Sequence, residues 1–427
     1  MTPSLWHVVS GAVAARPPLD VAEVEADLLV IGAGFTGLSC ALHAATAGLR
    51  VVVVEADRIA AGASGRNAGF VVPNFARVDP DAVLARLGPD RGARLVGFAA
   101  ASADLVFGLI RDHAIACDAL QSGWIQPAPT EAAMQAIRAR ARQWADRGRP
   151  VAVLDAGQVA HMTGARGYAG GWIDHSGGVL NPVAYARGLA AAAERAGAVV
   201  FEDTPVTSLH AAPGGWIARS GAGSVRAARV VLATNAHIGG LQPAVARSFF
   251  PLRVYQIATA PLPAAVRTRL LPGGQCVSDT RRNLFTFRFD ANNRLISGGM
   301  HILGPGADYR VPRAIHRRLS RLLDLPDLPP LEHAWSGQAA VMPDFLPHLI
   351  EPAPGLMAGI ACNGRGIAMT TMLGRVLADW AGGVPAADLP VPSGPPAPIP
   401  WHGLMRYAPN AHLPLAMLRD ALDARGE

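Results

Sequence analysis

Gly32-Ala33-Gly34-Phe35-Thr36-Gly37 sets three glycines in the Gly-x-Gly-x-x-Gly spacing, and Glu55 follows 18 residues after the last of them. This is chemistry for a dinucleotide. The first glycine permits a tight turn, the second lets backbone amides approach a pyrophosphate, and the third lets a helix pack close to a strand. Amides at the start of that helix, together with its positive dipole end, favour the phosphate charge. Glu55, with Ala56 beside it, can accept from ribose hydroxyls, and an acid there disfavours a 2′-phosphate and hence NADP.

Such a turn works only between the right elements. Asp27-Leu28-Leu29-Val30-Ile31 is an apolar run of strand length, suited to burial on both faces. After the glycines, Leu38, Ala41, Leu42 and Ala45 fall on one helical face, and Gly48 is the stop. Arg50-Val51-Val52-Val53-Val54 then reads as a second buried strand ending at Glu55. Together these form a βαβ unit, the opening of a doubly wound α/β sheet.

The whole chain constrains this reading. Its 427 residues, 50% hydrophobic and 16% charged, exclude disorder and allow two or three domains. There is no lysine: all 38 basic residues are arginine, and the net charge is +6. The arginines are spread among acids instead of forming one stripe, which argues against nucleic acid as a partner. Cys40, Cys117, Cys276 and Cys362 lie far apart and suit neither a disulfide framework nor a zinc site. Gly-x-Ser-x-Gly and His-Glu-x-x-His are absent, and His175 and His237 are isolated, so neither a hydrolase elbow nor a catalytic metal is expected. No apolar run reaches the ~18 residues of a membrane span, and Met1 to Pro18 lacks signal-peptide patterning. The expectation is a cytoplasmic protein.

Directly after the acid comes Arg58-Ile59-Ala60-Ala61-Gly62-Ala63-Ser64-Gly65-Arg66-Asn67-Ala68-Gly69-Phe70, a glycine-rich loop. Here the sequence resembles the D-amino-acid oxidase-like family of FAD-dependent amine oxidoreductases, which includes glycine oxidase, sarcosine oxidase and gamma-glutamylputrescine oxidase. The resemblance implies FAD in place of NAD. It implies that Arg58, Gly62, Ala63, Ser64, Arg66, Asn67, Ala68 and Gly69 run beneath the pyrophosphate and up to the isoalloxazine. Thr204-Pro205-Val206 looks like the segment whose valine backbone meets the adenine, and Val230 to Ala236 is similar to the family's closing loop, with Ala233, Thr234 and Asn235 at the pyrophosphate. Asn363-Gly364-Arg365-Gly366-Ile367 opens a helix whose amides and dipole suit the negative charge of a reduced flavin. Arg365 stands where relatives more often have histidine and is a candidate catalytic residue.

The implied reaction is oxidation of a primary or secondary amine or an amino acid. Hydride leaves the alpha carbon for flavin N5, the imine hydrolyses, and oxygen or another acceptor takes the electrons. No protein nucleophile is required. Tyr255 and His301 are further catalytic candidates, and Arg253 and Gln256 are substrate candidates on the strand after Pro251. Trp335 belongs to the same set and is also counted among the FAD-contacting residues. A flavin monooxygenase or a hydroxy-acid dehydrogenase on the same two-domain fold is the alternative.

Two departures from the family are visible. Sarcosine oxidase-type relatives use a lysine near the flavin to promote the oxygen reaction, and this chain has none. Where those relatives attach flavin through cysteine, Gln338-Ala339-Ala340-Val341-Met342 has no cysteine, so FAD is expected to be non-covalent.

The resemblance implies a Rossmann-like FAD-binding domain built from about 26–90, 173–245 and 331–384. An interleaved α+β substrate domain, with a mainly antiparallel sheet, takes 91–172 and 246–330. In the latter, Asn283 to Gly299 reads as a hairpin around an Asn-Asn turn. Residues 385–427 read as a proline-rich connector and a short amphipathic tail.

Overall fold

The computed structural model describes residues 3–221, 223–300, 305–360 and 363–405. Val24–Ile31 forms the strand that leads into the glycine turn, Phe35–Thr46 the helix that leaves it, and Val51–Val54 the strand that returns. The two strands pair in parallel, Leu28 with Val51 through Ile31 with Val54. All four valines of the second strand are buried, as β-branched residues on a sheet covered on both faces should be.

From this pair the sheet grows both ways. Its order is 199–201, 51–54, 24–31, 223–232, 356–360, 348–353 and 393–394, with the hairpin of 208–212 and 215–220 branching from the long strand Gly223–Leu232. The pairs between 199–201 and 356–360 are parallel. One face is covered by the helices Phe35–Thr46, Pro182–Arg195 and Gly366–Ala381. Close approach of the first and last of these depends on Gly374, where a Cβ would stand 2.4 Å from the Thr36 carbonyl oxygen. Ser39 locks the contact by donating to the Thr371 carbonyl at 2.7 Å.

A second sheet of eight strands runs 331–341, 250–261, 294–300, 286–289, 276–278, 124–128, 170–174 and 151–155. Its pairs are antiparallel apart from 276–278 with 124–128. Leu331–Val341 therefore belongs to this sheet and not to the nucleotide-binding segments, which corrects the boundary expected at 331. The cause is pairing along almost its whole length with Phe250–Pro261. Within the proline-rich connector, Ser393–Gly394 adds an edge strand to the first sheet by pairing with Leu349 and Ile350. The expected tail from residue 406 onward lies outside the described residues.

Outer and inner faces of the second sheet differ. Tyr255, Ile257, Phe285, Phe287 and Phe289 pack in one apolar cluster with Ile315 and Leu319 of the helix Ala307–Leu322. Ala258, Ile296, Trp124 and Trp335 join the core that contains the nucleotide-side helices. The second sheet thus roofs the end of the first.

Candidate functional site

The glycine turn is as tight as its spacing requires. A Cβ on Gly37 would lie 1.9 Å from the Gly32 carbonyl oxygen, and one on Gly32 would lie 2.9 Å from that of Ala233. One on Gly34 would meet the Ser64 hydroxyl at 2.8 Å. The N-cap residue of the helix Phe35–Thr46 is Gly34, which has no side chain to cap it, so the amides of Thr36 and Gly37 are left for an anion. Glu55 sits at the end of its strand with one carboxylate oxygen accepting from Ala33 N–H at 2.7 Å. Burial pushes its carboxyl above the usual range. Ala56 is exposed beside it.

Beyond the turn, the loop 62–69 is held from behind. Ser4 donates to the Gly65 carbonyl at 2.6 Å, and the Trp335 indole to that of Arg66 at 3.0 Å. The Trp6 indole donates to the Asn67 carbonyl at 2.7 Å, and Arg288 to that of Gly69 at 2.7 Å. Four carbonyls in five residues are taken by groups outside the loop. The Asn67 side chain braces the loop from within, donating to the Ser64 carbonyl and accepting from Gly69 N–H. Ser64 in turn accepts from Phe35 N–H at 3.0 Å, tying the loop to the dinucleotide turn. Ala63 opens the short 3-10 turn that carries Ser64, and Ala68 and Gly62 flank the bracing bonds.

Arg288, Ser4 and Trp6 escaped the sequence reading. Arg288 is buried and spends its guanidinium on backbone carbonyls of Gly69, Leu180 and Phe289 while lying over the Trp6 ring at 5.3 Å. Desolvation pushes its pKa down to about 10. The alternation of Phe285, Phe287 and Phe289 was the available signal, because the residues between them, Thr286 and Arg288, must face the other way.

Register also decides the candidates on Phe250–Pro261. Gln256 pairs with Trp335 and with Gly298, and a Cβ on Gly298 would touch the Gln256 amide. Both Gln256 and Trp335 therefore face the loop 62–69. Tyr255 and Arg253 fall on the opposite face. The Tyr255 hydroxyl donates to Asp308 at 2.7 Å, and Arg253 is exposed. Neither reaches the enclosed side, which corrects the catalytic reading of Tyr255 and the substrate reading of Arg253. His301 lies outside the described residues, as does Cys362. In their place the inner face offers Ser278, Thr286 and Trp124, with the Trp124 indole donating to the Ser278 hydroxyl at 2.7 Å.

The remaining positions divide between lining and bracing. Ala233 abuts Gly32, and the hydroxyl of the next residue, Thr234, is buried without a partner. Asn235 instead ties strands together, accepting from Ala340 N–H at 3.2 Å. Asn363 does likewise, accepting from Met342 N–H at 2.8 Å and donating to the Leu346 carbonyl at 2.9 Å. Gly364, with φ +84, has open space where a Cβ would stand, and Gly366 and Ile367 begin the last long helix. Arg365 precedes that helix, and its guanidinium lies over the Trp124 ring at 4.9 Å. Arg58 reaches Glu202 at 3.1 Å, and Val206 is part-buried against the outer core of the first sheet.

A dinucleotide fits this arrangement. The turn excludes side chains, its helix leaves amides uncovered, an acid ends the second strand, and a buried hydroxyl waits nearby.

Comparisons with known proteins agree with the geometry. The family described as "FAD dependent oxidoreductase", DAO, matches residues 27–380. Gamma-glutamylputrescine oxidoreductase of Escherichia coli (strain K12) is 30% identical over 359 residues, 83% of this chain and 83% of that protein. Glycine oxidase of Geobacillus kaustophilus has a crystal structure with TM-score 0.69 at 23% identity, covering 85% of this chain and 96% of that one. L-amino acid deaminase from Proteus vulgaris gives TM-score 0.71 at 16% identity, covering 88% and 97%.

Proposed function

From a chain that belongs to the DAO family of FAD-dependent oxidoreductases, we propose an enzyme that oxidises a primary or secondary amine or an amino acid. The observation that carries this reading is the loop 62–69, pinned by its carbonyls from behind and roofed by the inner face of the second sheet. When bound, FAD would supply a two-electron acceptor for the carbon next to nitrogen.

The chain's own residues do the rest. Gly32, Gly34 and Gly37 clear the way for the pyrophosphate, and Glu55 takes the ribose. The braced loop fixes the floor of the reaction space. Gln256 and Ser278, with polar side chains on the inner face, orient the amine, and Trp124, Trp335 and Ile296 exclude water. Arg365 supplies positive charge at the start of the last long helix. Burial and the like charges of Arg140 and Arg77 lower its pKa to about 10, so it is charged at neutral pH. FAD is held without a covalent bond, and dioxygen or another acceptor takes the electrons.

An anaerobic panel of amines and amino acids, read by bleaching of the visible flavin band, tests the reading. The expected result is reduction by at least one amine, with peroxide released when air is admitted. Reduction only by NADPH would assign a monooxygenase, and reduction only by hydroxy acids a dehydrogenase. Either outcome overturns the proposal.

A further inference from the structure

A cavity of about 320 Å³ lies between the N-terminal segment and the helix Pro182–Arg195, walled by His7, Val8, Val13, Arg58, Ile59 and Arg187. Small-molecule sites start at roughly this size, ~300 Å³. Most charges around it are already spent. Arg16 pairs with Glu194 at 2.5 and 2.8 Å. Glu202 accepts from Ile59 N–H at 2.7 Å and Arg16 N–H at 2.8 Å, and lies 3.1 Å from the Arg58 guanidinium. Arg187 is the exception. One Nη donates to the Ser10 and Gly11 carbonyls at 3.0 and 2.8 Å, and no carboxylate pairs with it among the described residues. Its Nε and second Nη remain, the edge that takes two oxygens of one anion.

His7 faces the same space. Ser4 spends its hydroxyl proton on the Gly65 carbonyl at 2.6 Å, so toward His7 it can only accept. The His7 Nδ1, 2.7 Å from that hydroxyl, therefore carries a proton. Nε2 has no partner among the described residues, and in the neutral ring it is an acceptor. An anion that meets it must bring a proton or find the ring charged. A phosphate monoester, with a second pKa of about 6, brings one near neutral pH. Carboxylates do not, and neither do sulfate esters.

We propose that this cavity binds a phosphate monoester, clasped between Arg187 and His7, and that its binding tightens retention of the flavin. Two phosphate oxygens take the free edge of Arg187, and the P–OH donates to His7 Nε2. Val8, Val13 and Ile59 receive the organic part. The link to the flavin runs through the N-terminal segment. Ser4 and Trp6 hold the Gly65 and Asn67 carbonyls, and a Cβ on Gly65 would stand 2.8 Å from His7 Cε1. A ligand joined to both His7 and the helix Pro182–Arg195 ties this segment down, so the loop 62–69 opens less often. Coupling of this kind is reciprocal, and FAD tightens the phosphate site by the same factor. The amine and its oxidation play no part in it.

The FAD holoenzyme is titrated by calorimetry at pH 7 with phenyl phosphate, phenyl sulfate and phenol. Phenyl phosphate is expected to bind saturably without displacing a reducing amine, phenyl sulfate at least about fivefold more weakly, and phenol not at all. Arg187→Met is expected to weaken phenyl phosphate at least about tenfold, with Arg187→Lys recovering part of the loss. His7→Gln is expected to bring the phosphate and sulfate esters to similar affinity. Arg195→Met, on the same helix but outside the cavity, should leave binding unchanged. Saturating phenyl phosphate should slow FAD release at least about fivefold, read by recovery of flavin fluorescence on dilution, and should not do so in Arg187→Met. Absent binding, equal binding of phenol, unchanged affinity in Arg187→Met, competition with the amine, or FAD release indifferent to phenyl phosphate would each overturn the proposal. Should Arg187→Met lose its flavin outright, Arg187→Lys and His7→Gln decide it by the same readings.

Discussion

The Trp6 indole donates to the Asn67 carbonyl at 2.7 Å, so a residue well before the first sheet strand fixes the loop 62–69. Its ring also lies beneath the buried Arg288 guanidinium. One side chain therefore serves two braces of that loop.

Trp6→Phe keeps most of the ring and removes the donor, leaving the Asn67 carbonyl short of a partner. That omission costs about 1–3 kcal/mol. FAD affinity should fall by roughly 5- to 100-fold, measured by quenching of flavin fluorescence on titration of apoprotein. Trp6→Ala, which also opens a cavity, should lose more.

Gly37→Ala should yield protein without flavin or without a fold, since a Cβ there would lie 1.9 Å from a backbone oxygen. Gly97→Ala is the contrast. It is exposed in the helix Pro89–Ala100 with nothing near a new Cβ, and should stabilise by about 0.5–1 kcal/mol. Thermal melts of the two variants check both statements.

Glu202 should make cofactor retention sensitive to acid. Burial pushes its carboxyl up, but Ile59 N–H at 2.7 Å, Arg16 N–H at 2.8 Å and the Arg58 guanidinium outweigh it and hold the pKa below the ordinary 4.5. A carboxyl depressed in the folded state stabilises above its unfolded pKa and loses that contribution as pH falls through the folded one. Flavin release should therefore begin below about pH 4.5, and Glu202→Gln should release flavin more readily at neutral pH with a flatter acid limb. Flavin fluorescence across pH 3 to 7 is the check.

Precipitation by acid should leave the yellow colour in the supernatant. Colour retained in the pellet would show a covalent bond and would contradict the cysteine-free stretch Gln338 to Met342.

The nucleotide half was legible because its information is local. Glycine spacing, a run of valines and an acid at a strand end lie within about 30 residues, the span of one βαβ unit. The bracing of the loop was not legible, because Ser4, Trp6, Arg288 and Trp335 come from three distant parts of the chain. Phe250–Pro261 shows a different limit. Tyr255, Gln256, Ile257 and Ala258 are all buried, so alternation does not tell its two faces apart, and Tyr255 and Gln256 stand as equal candidates. Only the pairing with Trp335 and Gly298 assigns Gln256 inward.

The order of strands in the first sheet has a consequence for how the polypeptide is made. Val24–Ile31 lies between Val51–Val54 and Gly223–Leu232, and the latter also needs Leu356–Ile360 on its far edge. A ribosome has therefore delivered most of the chain before the nucleotide half can close. Such distant pairings slow folding and leave edges exposed meanwhile. Synthesis in the presence of abundant riboflavin, or slowed by low temperature, should raise the soluble yield, and excising either half as a stand-alone fragment should fail.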